Sequence, residues 1–338
     1  MSPSPRPTAA LAMSRRAAEA VLEPSALEVL ADAVSLQPPP VLDDFSTERA
    51  RSVLADTELL VTGWGCPPLT AEVLAHAPRL RAVVHTAGSV RGHITDACWE
   101  RGIDVSSAAA ANALPVAEYT VAMILLTGKR VLESARDFRA ARAEVDWSRT
   151  PREIGNYRRT VGILSASLVG RRVIELLRPH DLRVLLHDPY VTADEAAALG
   201  AEPVALPALF ARSDTVSVHT PLLPATRGLV GRALIDAMRP DAVLINTARG
   251  AVVDQDALTE AVTAGRIRAV LDVTDPDVLP PDHPLWSADN ALLTPHLAGS
   301  QGNEWRRLAD AAVDEVRRWA AGDGFAHPVD RDRLAYLA

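Results

Sequence analysis

Three polar residues in the C-terminal half of the chain, Arg249, Asp277 and His296, each stand at or just past the end of an apolar run. AVLIN leads into NTARG, AVLD into LDVTDPD, and ALLT into LLTPH. A guanidinium keeps its charge and offers a planar fork to a carboxylate. An imidazole titrates near neutral pH, so it can give a proton to an oxygen and take it back. A carboxylate bonded to that ring would orient it and stabilise its protonated form. Short runs rich in Val, Ile and Leu, separated by helical stretches, read as buried parallel strands, and open α/β sheets bind ligands at the carboxyl ends of such strands. The three residues are expected to converge on one crevice, as a set that binds an anion and moves a proton.

The elements that must position them follow from the same patterns. From Thr160 onward TVGIL, RVLLH, TVSVH, AVLIN, RAVLD and ALLT are candidate strands with helical spacers between most of them, which makes a doubly wound sheet. After His296, residues 303–321 form an amphipathic helix. In the first half, ELLVT (58–62) and LRAVVHT (80–86) read as strands with a helix over 69–76 between them, a small βαβ unit. Residues 114–131 are apolar and helical but interrupted by Glu118; the stretch falls short of a membrane span and reads as a buried helix linking two domains. Residues 139–159 are charged and aperiodic, a surface connection.

The turn after TVGIL carries a second chemistry. A dinucleotide fingerprint would place glycine at 165, 167 and 170, and only Gly170 is present. Ser165 and Ser167 are small enough to leave a tight turn open, and the amides of Leu168 and Val169 can meet a pyrophosphate at a helix N-terminus. Asp188, 18 residues after Gly170 and just past RVLLH, would accept hydrogen bonds from ribose hydroxyls and repel a 2′-phosphate, which favours NAD over NADP.

Composition narrows the classes. With 338 residues and 48% hydrophobic content the chain can bury two cores, so two domains are the default. A net charge of −8 without a basic block argues against nucleic acid, and the sequence reads as an ordinary soluble protein. Among 35 basic residues only Lys129 is lysine, which disfavours Schiff-base and Walker-type chemistry. Two cysteines, Cys66 and Cys98, make neither a disulfide framework nor a zinc site, so no metal is expected and a reducing cytoplasm is the simplest compartment. The N-terminal MSPSPRPTAALAMSRR has no secretory apolar region and reads as a disordered leader.

The strings VAEYTVAMILL, TVGIL…VG…HDPY, SDTVSVHTPLLPATRGLVG, MRPDAVLINTARGAVVDQDAL, LDV…DHPLW and LLTPHLAG stand in this order along most of the chain. As a set they are specific, and through them the chain resembles the D-isomer-specific 2-hydroxyacid dehydrogenase family. The resemblance implies a two-domain α/β fold, with a Rossmann NAD-binding domain over 113–299 and a flavodoxin-like substrate domain made of 1–112 and 300–338. It implies hydride transfer between NAD(H) and a small 2-keto or 2-hydroxy acid of D configuration, in a homodimer built through the cofactor domains around the VAE helix, with no nucleic-acid or membrane partner.

Reduction of a 2-keto acid needs a cation on the carboxylate and an acid for the developing alkoxide. Arg249 suits the first role and His296 the second. Asp277 stands where the family usually carries Glu, one methylene longer, so it reaches His296 only if the TDPDV loop moves inward or a water bridges; Asp275 lies two positions too early to replace it. By the same resemblance Thr220 and Pro221 lie beside the adenosine, Thr247, Ala248 and Gly299 along the cofactor, and Asp272 at the nicotinamide carboxamide. Ala87, Gly88, Ser89 and Val90 would offer amides to the substrate carboxylate, where small residues permit close approach. The family often has a GxxNVD-like run there, whereas this chain has GSVRGHI; Arg91 and His93 either alter the pocket or face solvent, and solvent is the favoured reading. Trp64 is a pocket wall or an interdomain packing aromatic, and Asn112 and Glu118 are structural. One rival is an NAD sensor or corepressor-like protein with little turnover. Another is oxidation of formate or phosphite, although formate chemistry in the family goes with Gln beside the His.

Overall fold

A computed structural model of the chain describes residues 6–37 and 41–334. The chain divides into two compact units: residues 6–113 with 300–334, and residues 114–299.

The first unit is a five-stranded sheet of β1 (Thr8–Ala12), β2 (Ser35–Leu36), β3 (Leu59–Thr62), β4 (Ala82–His85) and β5 (Asp104–Ser107), in the order β2-β1-β3-β4-β5. Every pairing is parallel, so each strand returns through a crossover, and this order is the flavodoxin-like doubly wound arrangement. The expectation of a disordered leader is corrected at residues 8–12. TAALA is strand β1, hydrogen-bonded between β2 and β3, with Ala9 and Ala12 fully buried. Small side chains let helices pack closely on both faces, which a search for bulky apolar runs does not register. Residues 1–5 of that segment lie outside the described residues. The helix expected over 69–76 is the shorter Ala71–Ala75, capped by the Thr70 hydroxyl.

Helix Trp305–Ala321 completes this unit. Its Leu308, Ala309, Ala312, Val313 and Val316 recur at helical spacing and bury against Ala9, Leu59, Val61, Ala82 and Val84 of the sheet. Glu315 on the same helix is also buried. Its carboxylate accepts from the Ser106 hydroxyl (3.0 Å) and from the amides of Ala326 (3.1 Å) and His327 (3.2 Å), fastening the C-terminal segment beside β5.

The second unit is a seven-stranded parallel sheet: β6 (Thr160–Leu164), β7 (Arg183–His187), β8 (Glu202–Pro203), β9 (Thr215–Val218), β10 (Val243–Asn246), β11 (Arg268–Leu271) and β12 (Ala291–Leu293), in the order β12-β11-β10-β9-β6-β7-β8. The chain winds outward from β6 in one direction, then from β9 in the other, so the switch point lies between β6 and β9, where a Rossmann sheet opens its crevice. Alternate strand residues feed two cores. Leu244, Val216 and Val218 join Leu209 and Phe210 on one face, while Val243, Ile245 and Ile163 join Val173 and Ile174 on the other.

Helix Ala109–Gly128 starts earlier and ends sooner than the stretch 114–131. At 20 residues its length and composition suffice to cross a membrane, so the expectation that it falls short is corrected; its Ala117, Val121 and Ile124 pack into the second unit's core. The following region holds helix Val131–Ala141, none of whose residues is buried.

Candidate active site

In the second unit the candidate side chains leave the carboxyl ends of three adjacent strands. After β10 the chain turns through Thr247, Ala248 and Arg249. The Asn246 side chain brackets this turn, accepting from the Ala248 amide (3.0 Å) while its own amide donates to the Arg249 carbonyl (3.0 Å). The next residue must be glycine, because a Cβ on Gly250 would lie 2.0 Å from the Thr274 carbonyl group. That close approach brings the Arg249 loop against the loop after β11, which carries Asp277. The Thr274 hydroxyl folds this second loop, donating to the carbonyls of Pro276 (2.7 Å) and Asp277 (3.1 Å).

Arg249 is solvent-accessible, and partial desolvation by the surrounding protein lowers its guanidinium from the ordinary value while the Asp277 charge raises it. A guanidinium so perturbed stays protonated. The carboxylate of Asp277 therefore acts on Arg249. No hydrogen bond or ion pair joins it to His296 among the described residues, consistent with its short arm. Asp275 pairs with Arg227 (3.4 Å) at the surface.

The loop of His296 is built on Asp272. That buried carboxylate accepts from the Thr294 hydroxyl (2.6 Å) and from the amides of Leu297 (2.8 Å) and Ala298 (2.9 Å), while the Asp272 carbonyl accepts from the His296 amide (3.0 Å). His296 itself is exposed and held at φ +52°, a left-handed conformation that a β-carbon disfavours. Since Thr294 spends its one proton on Asp272, the Tyr119 hydroxyl must donate to Thr294 (3.0 Å), forming a chain from Tyr119 through Thr294 to Asp272. Burial pushes the Tyr119 phenol up; the Asp272 charge adds to this and the Thr294 bond opposes it. Asn246, Thr294, Tyr119 and Gly250 were not singled out by sequence. An Asn ending an apolar strand and a Gly following the Arg are the signals that mark two of them.

The serine-containing turn lies at the amino end of helix Leu168–Leu177. Ser165 stands where a glycine is expected and adopts the glycine conformation, φ +81°. Its amide donates to the His187 carbonyl (2.9 Å) and its hydroxyl to Asp188 Oδ2 (3.2 Å), which also accepts from the Ala166 amide (2.7 Å). Tyr190 N–H donates to Asp188 Oδ1 (2.8 Å). Ser167 is the N-cap of the helix, accepting from Gly170 N–H (3.3 Å), and a Cβ on Gly170 would stand 2.0 Å from the Ser165 carbonyl oxygen. The amides of Leu168 and Val169 begin this helix, and Leu168 is exposed. Beyond β9, Thr220 and Pro221 are buried, and the Thr220 hydroxyl has no partner among the described residues. Thr247 is buried against Thr120 (3.2 Å), Ala248 packs beside the core, and Gly299 follows the His296 loop.

In the first unit the loop after β4 begins with Ala87, 1% exposed, and continues through half-buried Gly88 and exposed Ser89 to buried Val90. Asn112 accepts from the Ser300 amide (3.0 Å), a structural bond. Trp64 is 43% exposed and lies in neither core. His93 is corrected outright: it is 4% exposed and bonded to Thr62, not facing solvent.

Residues 121–298 match the sequence model of the D-isomer specific 2-hydroxyacid dehydrogenase, NAD binding domain. The chain is 30% identical over 308 residues to D-3-phosphoglycerate dehydrogenase of Mycobacterium tuberculosis, covering 89% of this chain and 56% of the relative, so it spans little more than half the length of that enzyme. It is 32% identical over 320 residues to glyoxylate reductase of Aeropyrum pernix, covering 91% and 93% of the two chains. Among solved structures, D-lactate dehydrogenase from Aquifex aeolicus, complexed with NAD and lactic acid, superposes with a TM-score of 0.71 at 25% identity, covering 94% of this chain and 96% of that one.

Two outcomes are expected of this geometry. Ser165→Gly releases a left-handed strain of about 1–2 kcal/mol and loses a half-buried hydrogen bond of about 0.5–1 kcal/mol, so stability rises by up to about 1 kcal/mol, read as a higher urea midpoint. A lower midpoint would show that the bond to Asp188 outweighs the strain. Asp272→Asn replaces an acceptor with an N–H donor facing an amide, and a loss of about 1–3 kcal/mol is expected, with broadening or shift of the His296 imidazole resonance in NMR. An unchanged spectrum and midpoint would mean that the 294–298 loop holds itself.

Proposed function

Because this chain belongs to the D-isomer-specific 2-hydroxyacid dehydrogenase family, we propose that it interconverts a small 2-keto acid and its D-2-hydroxy acid with NAD(H) as the redox partner. The observation that carries this reading is the placing of two loops at the carboxyl ends of β10 and β12, on either side of β11: one presents a charged guanidinium at 249, the other an accessible imidazole at 296 on a rigid carboxylate scaffold.

The residues present fit a dinucleotide. Gly170 lets the start of the helix close on the Ser165 backbone, Asp188 offers a carboxylate beside that turn, and the unpartnered buried hydroxyl of Thr220 calls for a polar partner. The roles of Ser167, Leu168, Val169, Gly170, Asp188, Thr220, Pro221, Thr247, Ala248 and Gly299 in holding NAD rest on this fit and on family resemblance. When bound, the nicotinamide supplies two electrons and a hydrogen to the carbonyl carbon. Arg249 would hold the substrate carboxylate in its fork and draw charge toward the carbonyl oxygen. His296 would deliver a proton to that oxygen during reduction and remove it during oxidation. Asp277 supports Arg249 electrostatically, and among the described residues no hydrogen bond or ion pair joins it to the imidazole. The amides of Ala87, Gly88 and Ser89 would add donors to the carboxylate, and Trp64 would shape the side-chain pocket.

A binding-only sensor has no need for an exposed imidazole on so firmly built a loop, and that favours turnover. The cytoplasm is the compartment that suits Cys66 and Cys98, both free thiols.

Assembly follows the same reading. Helix Val131–Ala141 leaves Val131 39% and Phe138 58% exposed two turns apart on one side, an apolar face that a second copy would cover in a homodimer built through the unit of residues 114–299. Light scattering should give twice the chain mass, and Val131→Glu with Phe138→Glu should return it to the monomer mass. A monomer in the unmodified protein would remove this assembly from consideration.

The activity is tested by following NADH oxidation against glyoxylate, hydroxypyruvate, pyruvate, phenylpyruvate and branched 2-keto acids. His296→Ala should lower kcat by about 10²–10⁴ with the substrate KM little changed. NADH binding without turnover of any acid would establish the sensor instead.

A further inference from the structure

Thr62 ends β3 and His85 ends β4, and the two residues are register partners across the parallel ladder. The Thr62 hydroxyl lies 3.0 Å from His85 Nδ1 and 3.1 Å from His93 Nε2, and the two rings lie with centroids 4.5 Å apart and planes tilted by 39°. All three side chains are buried. A hydroxyl has one proton, so it donates to one ring while accepting N–H from the other. Such a bridge is complete when both imidazoles are neutral. Burial, with a smaller contribution from its neighbour, pushes His85 down to about 3, and burial pushes His93 down to about 4, so both are neutral at physiological pH.

Between the two histidines runs the segment of residues 86–92. Its first stem leaves β4 directly after His85, where the Thr86 amide donates to the Thr62 carbonyl (2.8 Å). Its second stem returns at His93, whose carbonyl accepts from the Leu69 amide (2.8 Å). Val90 is anchored in the core and its carbonyl accepts from the His93 and Ile94 amides (3.2 and 2.9 Å), whereas Gly88 and Ser89 are lightly held: the nearest atom to a Cβ on Gly88 would be Asn112 Nδ2 at 3.6 Å, and the Ser89 hydroxyl accepts a 3.5 Å bond from the Arg91 amide. One hydroxyl thus ties both stems, while Gly88 and Ser89 carry little side-chain restraint.

We propose that Thr62, His85 and His93 are positioning residues that clamp the two stems of loop 86–93 and thereby fix the Gly88 and Ser89 amides for a substrate carboxylate. The inference rests on the dehydrogenase activity proposed for the chain, because only that activity gives the amides a carboxylate to bind. It explains why a histidine serves here. Asn would place its amide near the Nδ1 position of the ring and stop short of Thr62, whereas the imidazole spans the distance with Nε2.

The reach of each side chain supplies the test. Thr62→Val keeps the shape and removes the hydroxyl; Thr62→Ser keeps the hydroxyl. His93→Gln carries an amide to where Nε2 lies, and His93→Asn does not. Amide hydrogen exchange of residues 86–93, measured by mass spectrometry on the protein alone, should quicken about tenfold or more in Thr62→Val and His93→Asn and remain near the unmodified rate in Thr62→Ser and His93→Gln. With the preferred keto acid at saturating NADH, the first pair should raise KM about tenfold with kcat and NADH affinity within about twofold, and the second pair should behave as the unmodified enzyme. Circular dichroism confirms that each variant is folded. Unchanged exchange in Thr62→Val, or His93→Asn matching His93→Gln, overturns the clamp. A KM effect shared equally by all four variants also overturns it, since only a general structural role moves them together. If no acid is turned over by the unmodified protein, the dehydrogenase reading fails on its own, and the exchange pattern still decides whether the stems are clamped.

Discussion

The Asp272 carboxylate is the group on which the His296 loop of the second unit depends. An ionised carboxylate buried to 2% exposure is costly unless donors surround it, and here a hydroxyl and two amides do so at 2.6–2.9 Å. The donors all come from residues 294–298, so stabilising the charge and shaping the His296 loop are one event. The left-handed backbone at His296 is held by this same set, since its own amide is bound by the Asp272 carbonyl. Placing the imidazole thus requires no bond to the ring itself, which remains open to solvent and to a substrate.

The loop with Ser165 shows a related solution with a different cost. A fingerprint glycine adopts positive φ freely, whereas serine does so against its β-carbon, and the strain persists because Asp188 binds both the Ser165 hydroxyl and the following amide. The hydroxyl that replaces a hydrogen atom therefore helps to hold the conformation that its own side chain disfavours. Gly170 allows no such exchange, because the position of its missing Cβ is filled by backbone.

Much of this was legible in the chain. Apolar runs rich in Val, Ile and Leu became β6, β7, β9, β10, β11 and β12, because both faces of a parallel sheet are buried and the pattern is correspondingly strong. β1 is built of alanines after a proline-rich start, β5 reads DVSS, and β8 has two residues, so burial in these strands leaves little trace in hydrophobicity. At the candidate site, residue types and order single out Arg249, Asp277 and His296, but not which charges act on one another. That Asp277 acts on Arg249, and that Asp272 spends three acceptor bonds on a loop, depends on backbone paths a few ångströms apart. His93 was misplaced for a plain reason: in a short polar loop nothing in the local sequence distinguishes an outward imidazole from one bonded to a threonine thirty-one positions earlier.

The discontinuity of the first unit sets an order on synthesis. Its sheet is complete once β5 has emerged from the ribosome, but the apolar face carrying Ala9, Leu59, Val61, Ala82 and Val84 is covered by a helix that begins at Trp305. The intervening 114–299 form a contiguous unit with cores of their own, able to close while that face is covered only in part, by residues 17–34. Nascent chains of this protein consequently spend the translation time of roughly two hundred residues, on the order of 10–40 s, with one core of the first unit incomplete and apolar surface exposed until the last helix arrives.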